Sequence, residues 1–357
     1  MKKVLVVIVL MAAGASILLV FRPWGDAFQP EIQKEARVHS HKGKQIHEEM
    51  FFLENPLTSN LQRVHMFYTA MERPAVILVP GGGKSSSDFF QAALDGAQDF
   101  VVFTFDPLGR GESQGVETMH GKEDQAFLYE VYRYAKERSN GSVSVASFSF
   151  GIAMVAGAVA DYDMSIDVWV DWEGPHERTF IAHLCMESRE DMQKLSLKEK
   201  RIIRSEMLKK ISKGTAPGEC ANDEYWAERE AFYKVEEIET SQIQLYVRLQ
   251  GRNDHVHQNF SDHALEMVNK MTELGFTTRL NDGPETTVYT EKSIVEFLYG
   301  PFDRVQKALD VIREYYTKRE VHITMRSALY LSPQQLRIHM SYNLCILYCL
   351  IIFFSLE

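Results

Sequence analysis

The sequence predicts an α/β fold: a mostly parallel sheet with helices on both faces and an inserted helical lid. Three observations carry this. Short β-rich runs alternate with helical stretches from Ala75 onward. Several of the runs end in Gly-rich or Gly/Ser turns. The alternation breaks once, over Glu177–Ile238, and then resumes. Continuous apolar runs between helices read as strands buried on both faces of a parallel sheet.

In chain order, Lys2 and Lys3 precede an apolar run from Val4 to Phe21. Residues 1–22 are therefore expected to be a signal peptide or a signal anchor. Ala12, Ala13, Gly14 and Ala15 offer a cleavage region, and the apolar residues resuming at Ile17–Phe21 favour an uncleaved anchor. The lysines would then stay cytoplasmic, with the rest exported and the membrane a partner through this segment. Residues 23–61, polar and mixed, read as a stalk and lead-in.

The first part of the core spans 62–176. Ala75–Val79 is a strand ending at Pro80-Gly81-Gly82-Gly83, and Phe100–Phe105 is a strand ending at Asp106-Pro107. Phe127, Leu128, Val131 and Tyr134 mark a helix over Glu123–Arg138. Ser142–Ala146 and Ile166–Val170 are strands, with a small-residue helix over Gly151–Ala160 between them. Residues 177–238 form the lid. Ser196-Leu197-Lys198-Glu199 is a capping box, Gly214 closes that helix, and Asn222–Tyr233 forms another. The second part of the core, 239–318, contains strands Gln244–Leu249 and Thr277–Leu280, a helix over Ser261–Leu274, and helical stretches from Glu291 to Tyr316. The tail, 319–357, has no place in this scheme. Its apolar run Asn343–Phe354 is too short to span a bilayer.

Composition narrows the function classes. The chain has 357 residues and a net charge of -10, with no clustered Lys/Arg stripe to follow phosphates, so nucleic acid is not an expected partner. Cys185, Cys220, Cys345 and Cys349 form no CxxC pair, so no metal is expected. In an exported chain Cys185 and Cys220 are either a disulfide or two free thiols. Lys84 follows the glycines directly, without P-loop spacing, and no Gly-x-Gly-x-x-Gly turn occurs, so no nucleotide cofactor is expected either.

The sharpest chemical signal is Ser147-Phe148-Ser149-Phe150-Gly151, which follows a strand and opens a small-residue helix. A nucleophile elbow needs that context, with small residues two before and two after the serine. Ser149 is the candidate nucleophile. An ordinary strand–helix turn is the plain alternative. The glycines after the first strand let backbone N–H groups face a developing oxyanion, with Gly82 and Phe150 as donors. The turn Asp106-Pro107-Leu108-Gly109-Arg110-Gly111-Glu112-Ser113 is read as structural.

Taken in order, these motifs resemble the α/β-hydrolase superfamily over roughly Phe67 to Tyr316. The likeness extends to its lidded esterase, dienelactone-hydrolase-like and serine-peptidase branches. Two departures stand out: Pro80 where the family often has His, and Ser147 where it usually has Gly. Gly251-Arg252-Asn253-Asp254 matches the family's Gly-x-x-Asp turn, which implies Asp254 as triad acid. The resemblance also calls for a histidine after the last strand, where Asn281-Asp282-Gly283-Pro284-Glu285 has none. His257 or His255, beside Asp254, is the expected base. His176 and His263 are further candidates, and Asp171 or Glu173 would serve as a shifted acid.

Two functions follow. One is a serine hydrolase that cleaves an ester or amide of a small-molecule or peptide substrate through an acyl-enzyme. The other is a non-catalytic binding protein of the same fold, supported by the missing histidine. Trp172, Tyr225, Trp226, Phe232 and Tyr233 suggest an apolar wall beside the site.

Overall fold

The computed structural model describes residues 7–12, 15–20, 32–176, 223–252, 260–300 and 303–329. Its centre is a nine-stranded sheet in the order β11-β10-β9-β8-β6-β7-β5-β4-β3. The parallel block comprises β6 (Ala75–Val79), β7 (Val101–Phe105), β8 (Val143–Phe148), β9 (Ile166–Trp172), β10 (Ile243–Leu249) and β11 (Thr278–Leu280). Helical crossovers α1 (Phe90–Gly96), α2 (Lys122–Glu137), α3 (Gly151–Tyr162) and, later, a helix over Phe260–Glu273 separate these strands. This is the alternation expected from the sequence.

Both faces of the sheet are covered. Along β6, Ala75, Ile77 and Val79 enter one apolar cluster, while Val76 and Leu78 enter the other, as the two-residue strand period requires. The first cluster takes Phe127 and Leu128 of α2 and Ile152 and Val155 of α3. The second takes Ala93 and Leu94 of α1. Burying each such aliphatic side chain contributes about 1.5–3 kcal/mol, and Trp169 and Phe148 are likewise buried in β9 and β8.

The lead-in is a correction. Residues expected as a stalk form β3 (Ile32–His41) and β4 (Lys44–Glu54), and β5 (Leu61–Tyr68) follows them; all three are antiparallel and extend the sheet beyond β7. Their polar composition hid them. β4 buries Ile46, Met50, Phe51 and Leu53 but also Glu48, held between His39 Nε2 at 2.7 Å and His65 Nδ1 at 2.9 Å. A buried carboxylate inside the apolar alternation breaks the pattern that marks a strand.

The N-terminal apolar run pairs as an antiparallel hairpin, β1 (Val7–Ala12) with β2 (Ala15–Val20). Among the described residues no helix is long and apolar enough to cross a membrane. From the segment expected as a lid, the described part holds two short helices, α4 (Asp223–Ala227) and α5 (Ala231–Lys234). The remainder of that segment lies outside the described residues, as do all four cysteines. After α6 (Phe260–Glu273) and α7 (Glu291–Phe297) comes α8 (Arg304–Leu329), which continues past the boundary expected at 318. It packs Ala308, Leu309, Val311 and Ile312 into the second cluster.

Candidate active site

Ser149 stands between the end of β8 and the start of α3, with φ at +51°. That left-handed conformation is uncommon for a residue with a Cβ and concentrates at functional sites. Several fixed contacts hold the turn. The Ser149 N–H donates to Trp172 O at 2.9 Å, and Ile152 N–H donates back to Ser149 O at 3.2 Å. Ser149 itself is half-buried. Its hydroxyl makes no hydrogen bond to another described residue.

The flanking small residues are explained by their neighbours. A methyl group on Gly151 would stand 2.9 Å from Pro80 O, and one on Gly81 would stand 2.5 Å from Phe148 O and 3.1 Å from Ser149 Cβ. The loop after β6 thus lies directly on the elbow, and only glycine allows it. Ser147 tolerates its hydroxyl because Trp169 Nε1 donates to it at 2.9 Å, so the buried oxygen is satisfied.

Gly82 and Phe150, the expected oxyanion donors, lie on facing segments, with an added Gly82 Cβ 3.8 Å from Phe150 Cβ. Among the described residues neither N–H is engaged in a hydrogen bond. The turn after β7 braces this loop. Arg110 Nη1 donates to Gly81 O at 2.9 Å, while its Nε and Nη2 hold Glu117 Oε1. Asp106 Oδ1 accepts from Ser86 N–H at 2.8 Å and Ser86 Oγ at 2.6 Å, and its Oδ2 accepts from Glu112 N–H at 2.8 Å. The Asp-x-x-Gly-x-Gly turn is therefore scaffold, as the sequence suggested.

On the other flank the carboxylates considered as shifted acids are both committed. Asp171 is fully buried. Its Oδ2 lies 2.6 Å from Arg248 Nη1 and accepts from Tyr246 Oη at 2.7 Å. Burial and then the Asp171 charge push the Tyr246 phenol well above its ordinary range, so it stays neutral and donates. Glu173, also buried and with φ at +47°, accepts from Gly251 N–H at 2.9 Å through Oε1 and from Trp172 Nε1 at 3.0 Å through Oε2. Arg304 Nε lies 3.1 Å from the same Oε2. Glu173 thus ties the exit of β9 to the turn after β10. Asn281, in the loop that lacks a histidine, adds a second tie: its Oδ1 accepts from Gln250 N–H and its Nδ2 donates to Gln250 O, both at 2.9 Å.

Asp254, His255 and His257 lie outside the described residues. His176, the further candidate base after β9, is held in the interior. It is fully buried, its Nε2 is 3.2 Å from Glu266 Oε2, and its ring lies 5.2 Å from that of Phe232.

Sequence reading missed His120. It is fully buried beside the elbow, edge-on to Phe150 at 5.5 Å between ring centroids. Both Met119 and His120 have positive φ, at 52° and 65°. Asp124 fixes this turn by accepting from Leu108 N–H, Thr118 Oγ1 and His120 N–H. Burial raises the Asp124 carboxyl above its ordinary value despite those donors. The one signal available was His120 standing before Gly121 and a helix, which is too common to single it out.

An apolar wall adjoins the elbow. Met119, Phe150, Ala153 and Trp226 form a separate buried cluster, with Tyr225 packed against it. Arg229 docks this part of the chain by donating from Nη2 to Thr118 O at 2.7 Å and from Nε to Met119 O at 3.2 Å. Of the five aromatics named from the sequence, Tyr225 and Trp226 belong to this wall; Phe232 packs on His176, and Tyr233 is exposed. Trp172 lies edge-on to Phe148 at 5.0 Å.

No protein-family model and no curated protein matches the chain. Solved structures do. DcsB, solved in complex with its substrate analogue, aligns with a TM-score of 0.50 at 12% identity, over 75% of this chain and 98% of its own. A highly thermostable carboxyl esterase from Bacillus coagulans aligns at 0.49 and 12%, over 66% and 89%. A thermophilic esterase from Thermogutta terrifontis aligns at 0.45 and 14%, over 75% and 98%. At these identities the likeness is one of fold.

Proposed function

The chain has the α/β-hydrolase fold, and from that premise we propose that it is a serine hydrolase cleaving a carboxylic ester or amide through an acyl-enzyme on Ser149. The observation that carries the reading is the strained Ser149 turn, with φ at +51° and a half-buried serine beside two backbone N–H groups that no other described residue engages. Ser149 Oγ attacks the carbonyl carbon while its proton passes to a base. The Gly82 and Phe150 N–H groups receive the negative charge on the former carbonyl oxygen. The wall of Met119, Phe150, Ala153 and Trp226 suits an apolar group on the substrate. No cofactor is needed for this chemistry.

The base is an imidazole, the group matched to neutral pH. His257, or His255, fits through its place beside Asp254 in the Gly-x-x-Asp turn. His120 is the structural rival, because it alone of the described histidines packs against Phe150, the residue after the nucleophile. The pH–rate profiles of His257→Ala, His255→Ala and His120→Ala separate them: the variant that loses the limb near neutral pH has lost the base.

Residues 177–238 as a lid, and export or anchoring through the N-terminal segment, are parts of the same proposal. The motives are the break in alternation and the lysines before the apolar run. Protease shaving of intact cells tests the location.

The second reading, a non-catalytic binding protein, draws on the loop after β11, which has no histidine. Organophosphonate labelling decides. The hydrolase reading expects wild type to be labelled, Ser149→Ala to be unlabelled, and turnover of an aryl ester to fall by roughly 10⁴-fold or more in that variant. An unlabelled wild type, or an unchanged Ser149→Ala rate, establishes the second reading.

A further inference from the structure

Away from Ser149, β10, β11 and α8 border a cavity of about 340 Å³. Leu245, Val311 and Tyr315 give it apolar walls, and Arg279 on β11 lines it together with Glu314 and Lys318 of α8. None of its lining residues belongs to the elbow or the oxyanion loop. Two strands, β9 and β10, separate β11 from β8.

The unusual member is Arg279. Its residue is only 7% exposed, and its Nε and Nη2 are buried with no hydrogen-bond partner among the described residues. Its Nη1 reaches Glu314 Oε1 and Oε2 at 3.4 Å each, well beyond the ~2.7–2.9 Å of a good charge-assisted bond. Glu314 is more firmly held by Lys318, at 2.7 Å. Arg319, also on the lining, is taken by Asp167 at 2.7 Å. The planar guanidinium fork therefore offers more donors than the protein satisfies, and a buried donor left unmet is costly. Lys318 and Arg319 are each matched, by Glu314 and Asp167, so the Arg279 fork is the donor set left over for an anion in this lining.

We propose that this cavity binds a small organic carboxylate with a hydrocarbon body, independently of the Ser149 site. The head group takes the place of Glu314 at Arg279, the guanidinium turning to present its fork. Glu314 keeps Lys318. The hydrocarbon lies against Leu245, Val311 and Tyr315. Arginine suits this role because a carboxylate accepts two parallel N–H bonds from it.

The test is calorimetric titration of the full chain with sodium hexanoate, with acetate, hexanol and hexyl phosphate in parallel. Hexanoate is expected to bind, and acetate and hexanol at least tenfold more weakly, one lacking the body and the other the head. Arg279→Met, which removes the buried charge at similar length, should weaken hexanoate at least tenfold. Val311→Trp, which fills the cavity and leaves Arg279 in place, should do the same even where Arg279→Met fails to fold. Ser149→Ala should bind hexanoate as wild type does, which separates this site from the acyl-enzyme reading. No hexanoate binding by wild type, or equal binding in both cavity variants, overturns the proposal. So does acetate binding as tightly as hexanoate, which would mark an adventitious anion, or tighter binding of hexyl phosphate, which would reassign the head group.

Discussion

On the β6–β7 flank of Ser149 the clearances are set by backbone atoms, whereas on the β9–β10 flank they are set by buried side chains. Gly81 and Gly151 face carbonyl oxygens at distances no Cβ would tolerate. Across the elbow, Asp171 with Arg248, Glu173 with Gly251, and Asn281 with Gln250 join strand ends through charged and amide groups. The first flank is intolerant of one added methyl group at the elbow, with Arg110 and Asp106 bracing the loop from outside that contact. A side-chain-made site is sensitive to the loss of one partner.

The largest effect is expected at Asp171. Its ion pair with Arg248 is wholly buried, and Tyr246 adds a third member. Asp171→Ala removes the carboxylate from a wholly buried ion pair and takes the acceptor of Tyr246 Oη with it, which costs about 3–5 kcal/mol. Urea denaturation should show that loss with an unchanged slope. A variant as stable as wild type would mean that the flank does not depend on this pair. Gly81→Ala comes next. The added methyl must push the loop away from Phe148 O, displacing the Gly82 N–H that we propose as an oxyanion donor. A shift of about 1 Å costs on the order of 10²-fold in rate. Organophosphonate labelling of Ser149 should slow accordingly, while Asp171→Asn, tested beside it, should affect stability before labelling.

The same contrast decides what could be read in advance. The elbow, the glycines after β6 and the turn holding Asp106 were legible because each is marked by residues within a few positions of one another, although the contacts that require them, such as Gly81 on Phe148 O, are distant in sequence. Small residues at fixed offsets around Ser149 are a local signature. The links made by Glu173, Asn281 and Arg304 join positions 78, 31 and 131 residues from their partners Gly251, Gln250 and Glu173, and no local pattern marks them. His120 was missed because Phe150, the ring it packs against, lies 30 residues on, even though Asp124, which fixes its turn, is only four residues away. β3 and β4 were read as stalk because Glu48, His39 and other polar residues interrupt their apolar alternation.

Glu173 sharpens the comparison with a smaller effect. Glu173→Gln keeps an acceptor for Gly251 N–H but removes the charge facing Arg304. If Glu173 positions the turn leading to Asp254, kcat should fall about tenfold, roughly 1.4 kcal/mol of barrier, with KM nearly unchanged and the pH profile retained. Loss of the neutral-pH limb instead would give Glu173 the role of acid partner to the base.

The smallest effect at neutral pH belongs to the Glu48 cluster of the antiparallel strands, which meet the β6–β7 flank through the edge that β5 shares with β7. Burial pushes the Glu48 carboxyl up, but hydrogen bonds from His65 and His39 outweigh it and hold the group below the ordinary value of 4.5. A carboxylate whose pKa is lower folded than unfolded adds stability above its unfolded value. That stability is lost as pH falls through the folded value. Wild type should therefore lose stability faster than Glu48→Gln as the medium is acidified below pH 4.5. Ester turnover at neutral pH should be the same in both, because the cluster lies on β3, β4 and β5 while Ser149 lies at the end of β8. Thermal melts from neutral to acid pH measure the first, and initial rates the second. Parallel acid limbs in the two proteins would show that Glu48 is not held below its ordinary value, and a changed rate would join the two halves of the sheet that the comparison keeps apart.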